Sequence, residues 1–132
     1  MPSPTSGRAT SRSTPTTSRT SSERSSVAAR LIALFRPPDD PAAFDAHYRD
    51  VHAPIVRRYP GLRDLRVTRT DGVAGRPADI YLLAEMTFDS RADLDAALAS
   101  EPGRESGRDL RTFAQAGVTL LVADDEAPFL ER

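Results

Sequence analysis

The sequence predicts an α+β domain, a four-stranded antiparallel sheet with helices on one face, in the order strand, helix, strand, strand, helix, strand. Three observations carry this reading. Apolar runs at 27–35, 80–88 and 118–123 are too short for buried helices and lie between segments with helical apolar spacing. Helix start and stop residues stand at Asp40-Pro41 and Pro60-Gly61. A fourth run, 62–70, carries a charge load that suits a sheet edge.

The stretch 27–35 (VAARLIALF) is apolar on both alternating faces apart from Arg30, as a buried strand requires, and Arg36-Pro37-Pro38 stops it. Asp40 suits an N-cap and Pro41 the first helical position, so a helix is predicted from there to about Tyr59, where Pro60-Gly61 ends it. In 62–70, Leu65 and Val67 are interspersed with Arg63, Asp64, Arg66 and Arg69, and Arg66 and Arg69 read as solvated edge charges. Asp71-Gly72 opens a loop reaching Asp79. In 80–88 (IYLLAEMTF), Ile80, Leu82, Ala84, Met86 and Phe88 form one wholly apolar face, which predicts a central strand. Tyr81, Leu83, Glu85 and Thr87 alternate onto the other face, away from the helices. Ser90 with Asp93 makes a near capping box for a helix whose stripe is Leu94, Ala97 and Leu98. Glu101-Pro102-Gly103 is expected to interrupt it before a second stretch, 104–115, with Leu110, Phe113 and Ala114 inward. Gly117 and the run 118–123 supply the last strand.

That order is the ferredoxin-like βαββαβ arrangement. Right-handed crossovers put the first and third strands in the centre and the charged second strand at an edge. The helices then cover one face only. Ile32, Leu34, Tyr81, Leu83 and Leu121 fall on the other, and a second copy packed sheet to sheet is the expected cover.

Residues 1–26 differ from the rest, with 15 Ser or Thr and no apolar side chain larger than Met1. Such a segment cannot bury a core and reads as a disordered tail or a mis-assigned start, although its Ser and Arg content is also that of a transit peptide. The domain is assigned to 27–126, with 127–132 a short tail. No secretory apolar run is seen, so a cytoplasmic location is expected, and no stretch is long enough to span a membrane. From 27 onward, 14 Arg stand against 18 acidic residues, a net charge of −4 that argues against nucleic-acid binding. All basic side chains are Arg and there is no Cys, which removes Schiff-base, thiolate and sulfur-ligated zinc chemistry. No glycine pattern follows a strand in the way a dinucleotide or phosphate loop requires.

The chemistry-bearing residues are the two histidines, His47 and His52, both on the first predicted helix. At roughly 100° per residue, Phe44, Tyr48, Val51 and Ile55 share one stripe, His47 lies roughly 60° to one side and His52 roughly 80° to the other. About 140° apart, the two rings are poorly placed to chelate one metal ion, so no metal site is assigned. Pro54 removes the amide that would bond the carbonyl of Asp50, and a kink is expected beside His52.

The segment F-D-A-H-Y-R-D-V-H-A-P at 44–54, Pro60-Gly61-Leu62 and the closing G-V-T-L-L-V at 117–122 resemble the EthD family of dimeric α/β-barrel proteins. The resemblance implies a small homodimer with a cavity between sheet and helices, in a family some of whose members belong to ether and xenobiotic degradation. Relatives on this fold include cofactor-free monooxygenases, isomerases, cyclases and haem proteins, so fold alone does not choose the reaction. The expectation is a cofactor-independent oxidoreductase or isomerase acting on an apolar or aromatic oxygenated compound in a catabolic pathway. His52 is expected as base and His47 as second acid or orienting group, with Tyr48, Phe44, Val51 and Ile55 contacting substrate. The alternative is a non-catalytic ligand-binding or accessory protein of a catabolic operon, and single-histidine haem ligation stays open at this stage.

Overall fold

The computed structural model describes residues 28–125 and 129–130. The tail expected at 1–26 lies outside the described residues, as do 127, 128, 131 and 132 of the C-terminal tail. Strand β1 is Ala29–Phe35, and a helix, α1, follows in three consecutive segments, Pro41–His47, Tyr48–His52 and Ala53–Val56. Then come β2 (Leu62–Arg69), a single 3₁₀ turn (Val73–Gly75), β3 (Leu82–Phe88), α2 (Arg91–Ala99), α3 (Glu101–Phe113) and β4 (Val118–Asp124). The sheet order is β2-β3-β1-β4 with every neighbouring pair antiparallel, so the two apolar strands occupy the centre as expected.

Alternation decides the two faces. Ala29, Leu31, Ala33 and Phe35 of β1 and Leu82, Ala84, Met86 and Phe88 of β3 are buried and form the floor of the core, with Phe44, Tyr48, Val56, Leu94 and Ala97 of the helices packed on it. Register places Ile32 beside Leu121 and Leu34 beside Leu83 on the opposite, helix-free face. Leu121 is 48% exposed there.

Three details depart from the sequence-based expectation. The strand predicted from Ile80 starts at Leu82, so alternation does not govern Tyr81. The Tyr81 ring meets the edge of Phe44 at 5.7 Å and its hydroxyl donates to Asp45 at 2.9 Å, which turns it to the helix side. Arg69 is likewise no free edge charge, because it bonds Asp45 at 2.8 Å and lies over the Tyr81 ring. Finally, the expected interruption between the two helices falls at Ser100, and Glu101-Pro102-Gly103 opens the second one. Ser100 is its N-cap, accepting from the Gly103 amide, and Pro102 sits in the first turn, where no amide hydrogen is needed.

Candidate functional site

The site begins with a backbone irregularity in α1. The Ala53 amide donates to the carbonyl of Tyr48, five residues back rather than four. Pro54 follows immediately and can donate no hydrogen bond, so the wide turn ends where an ordinary ladder would have lost a rung anyway. In such a turn of about 4.4 residues, positions five apart lie only about 50° apart instead of 140°. His47 and His52 therefore emerge on one side of the helix. The same shift replaces the expected inward stripe: Phe44, Tyr48, His52 and Val56 are buried, whereas Val51 turns outward and is 42% exposed.

Asp109 of α3 stands between the two rings. Its carboxylate accepts from His47 Nε2 at 2.8 and 3.0 Å and from His52 Nδ1 at 2.9 Å, and the Asp109 side chain is only 13% exposed. Phe113, one turn further along α3, lies 4.5 Å from the His47 ring and 5.0 Å from that of His52, so both imidazoles rest on one phenyl group. A carboxylate facing Nδ1 fixes the proton there and leaves Nε2 of His52 as a lone pair. Burial lowers the His52 pKa below its ordinary value of 6.5, against the upward pull of Asp109. The ring is thus a neutral base at neutral pH.

The two rings look into different hollows. His52 lines an inner cavity of about 70 Å³ between sheet and helices, whose other polar members are Tyr48, Tyr59 and Ser106 and whose walls include Phe35, Ala84 and Met86. Leu98 and Leu120, its exposed lining residues, mark the rim. Burial, reinforced by Tyr59, pushes the Tyr48 hydroxyl up to about 12, so it stays a hydrogen-bond donor. Ser106 donates to the carbonyl of Gly103, which leaves its oxygen to accept from the Tyr59 hydroxyl at 2.5 Å. His47, by contrast, lines an outer pocket of about 590 Å³ with Phe44, Phe113, Thr112, Gln115, Asp39 and Asp40. Neither hollow is lined by Val51 or by Ile55, although Ile55 is buried.

His47, His52 and Asp109 converge, but at hydrogen-bonding distance from each other rather than around a common centre. Among the described residues no group of three or more His, Cys, Asp or Glu is placed to hold a metal ion. An inner cavity of 70 Å³ is far too small for a haem macrocycle, so the residues present do not fit haem on His52. Sequence reasoning missed Asp109. Its signal was present: it lies three residues after Ser106 and four before Phe113, an acid on the inward stripe of α3.

Residues 36–117 match the family model described as the EthD domain. A curated relative from Rhodococcus erythropolis, an uncharacterized 11.0 kDa protein in the thcB-thcC intergenic region, is 37% identical over 97 residues, 74% of this chain and 94% of that protein. A solved ethyl tert-butyl ether D (EthD) family protein from Bacillus halodurans is 41% identical, with a TM-score of 0.70 over 73% of this chain and 96% of its own. Two further structures share the fold at low identity. SnoaB from Streptomyces nogalater, a cofactor-independent oxygenase, is 17% identical with a TM-score of 0.57, covering 79% of this chain and 98% of its own. A dimeric ferredoxin-like protein of unknown function from Jannaschia sp. is 15% identical with a TM-score of 0.57, covering 73% and 97%.

Proposed function

Because the chain belongs to the EthD family, we propose that it is a homodimeric small-molecule enzyme in which His52 removes a proton from an apolar or aromatic oxygenated compound. The observation that carries this reading is a buried, carboxylate-oriented imidazole whose free nitrogen belongs to a ring lining an internal cavity. The abstracted proton goes to His52 Nε2, and Tyr48 donates a hydrogen bond to the oxygen on which negative charge develops. Return of the proton to another atom gives isomerisation. With molecular oxygen as co-reactant, the same carbanion adds O2, takes the proton back from His52 to become a hydroperoxide and loses water to leave a carbonyl. One oxygen atom thus enters the product and the other leaves as water without a resident cofactor; SnoaB is likewise described as a cofactor-independent oxygenase. A cavity of 70 Å³ takes only the reacting end of such a molecule, and the remainder would lie across Leu98 and Leu120 at the rim.

The homodimer is supported by the helix-free apolar face and by the dimeric neighbour. The test is a panel of aryl ketones, phenols and quinols assayed for solvent deuterium incorporation and for oxygen uptake with no added metal or cofactor. Activity that falls at least 100-fold in His52→Gln supports the proposal. Compounds that bind without any deuterium incorporation or oxygen uptake would instead make the protein a ligand carrier and overturn it.

A further inference from the structure

Three polar rings meet at the inner cavity, and the protein satisfies only part of their bonding capacity. Tyr48 is 6% exposed and His52 4%. Among the described residues no group bonds the Tyr48 hydroxyl, and the only bond to a His52 ring nitrogen is that of Nδ1 with Asp109. Folded proteins rarely keep a buried hydroxyl without a partner, and both orphaned atoms belong to rings lining one hollow of about 70 Å³. The third ring is Tyr59, also buried, and its role is decided two bonds away. The Ser106 hydrogen goes to the Gly103 carbonyl at 3.0 Å, so in the 2.5 Å contact between Ser106 and Tyr59 it is Tyr59 that donates. With its single hydrogen spent, the Tyr59 oxygen offers the cavity lone pairs alone.

The cavity therefore presents one free donor, the Tyr48 hydroxyl, and two acceptors, the Tyr59 oxygen and His52 Nε2. We propose that this set selects an aromatic compound with hydroxyl groups on two adjacent ring carbons, a catechol-type head, and that Tyr59 is the residue that reads the second hydroxyl. One hydroxyl donates to His52 Nε2 and accepts from Tyr48, while its neighbour donates to Tyr59. A lone hydroxyl leaves the Tyr59 oxygen unmatched, and an ether in the second position sets two acceptor oxygens against each other. Adjacent carbons are required because the hollow is small and Tyr59 stands near enough to Tyr48 to raise its pKa, so hydroxyls at opposite ends of a ring do not both reach. The hollow takes the two-oxygen edge, and the rest of the ring lies toward the apolar rim at Leu98 and Leu120. This rests on the reading of the inner cavity as the place where substrate reacts, and it narrows the class of substrate taken there.

The test is binding alone, by titration calorimetry on the full-length protein under nitrogen, with catechol, phenol and 2-methoxyphenol as probes. Catechol should bind about ten-fold more tightly than either of the others, or better. In Tyr59→Phe the acceptor is gone, and the gap between catechol and phenol should close to within about three-fold. In Ser106→Ala the Tyr59 hydrogen is released toward the cavity, and 2-methoxyphenol should gain about ten-fold on catechol. A parent that binds catechol no better than phenol, a parent that binds none of the three, or a catechol preference that Tyr59→Phe leaves unmoved overturns the proposal. Should Tyr59→Phe fail to fold, Ser106→Ala decides, and an unmoved preference there overturns it equally. Oxygen is excluded and no turnover is read, so selective binding of catechol can stand even where His52 fails as the base, and the two failures are distinguishable.

Discussion

At the scale of single residues, His52 links chemistry to stability. Burial is the main reason its ring resists protonation in the fold, with Asp109 opposing. The unfolded chain therefore binds this proton at a higher pH than the native one, the native contribution is complete above 6.5, and it is lost as the pH falls toward the lower native value. The expected outcome is a urea midpoint that drops between about pH 7 and pH 5 more steeply in the parent than in His52→Gln, measured side by side. Both histidines were visible in the sequence, because no other side chain of this composition titrates near neutrality. Asp109 was not, since it stands 62 and 57 residues from its two partners and only the packing of α3 against α1 brings it there. Val51 and His52 exchanged their inward and outward places for a reason no apolar count contains, the choice of a hydrogen bond five residues long.

At the scale of elements, strand identities and sheet order followed from apolar alternation, and the caps at Asp40 and Ser90 bond the amides their spacing implies, whereas the cap at Ser100 was not anticipated. What alternation misjudged were element ends, as at Tyr81, and the wide turn of α1. Pro54 was readable as a perturbation but not as a change of register. Pro54→Ala restores a donor and lets α1 close into an ordinary ladder. The expected result is a more regular helix in which the His52 ring loses its Asp109 bond, seen as loss of the fixed Nδ1–H tautomer in 15N spectra together with a fall in turnover of at least ten-fold. The α2–α3 junction is constrained by close approach instead. A Cβ on Gly103 would stand 2.3 Å from the carbonyl oxygen of Ala97 and 2.5 Å from that of Leu98. Gly103→Ala should destabilise the protein by about 1–3 kcal/mol in chemical denaturation, since the obstacle is backbone that cannot swing aside.

For the whole molecule, the sheet is a two-sided object with one side dressed by helices. The bare side carries Ile32, Leu34, Leu83 and Leu121 in adjacent register positions, together with polar neighbours such as Glu85 and Arg66. Leu121→Glu puts a charge on that patch from the edge strand β4, beside Ile32, while leaving the core untouched. The proposed homodimer should then sediment as a single subunit with unchanged circular dichroism, and a parent that itself sediments as one subunit would remove the basis for it.

The convergence of the two imidazoles depends on how many residues fill one turn rather than on which residues they are. Chain length is therefore a functional variable here. Removing a single exposed position such as Arg49 would let the turn close with four residues in place of five, and at roughly 100° per residue the two histidines, then four apart, would still lie only about 40° apart on one side of the helix. A one-codon insertion in the same turn, by contrast, would swing the rings apart by roughly a further 100° and silence the chemistry with every functional side chain still present.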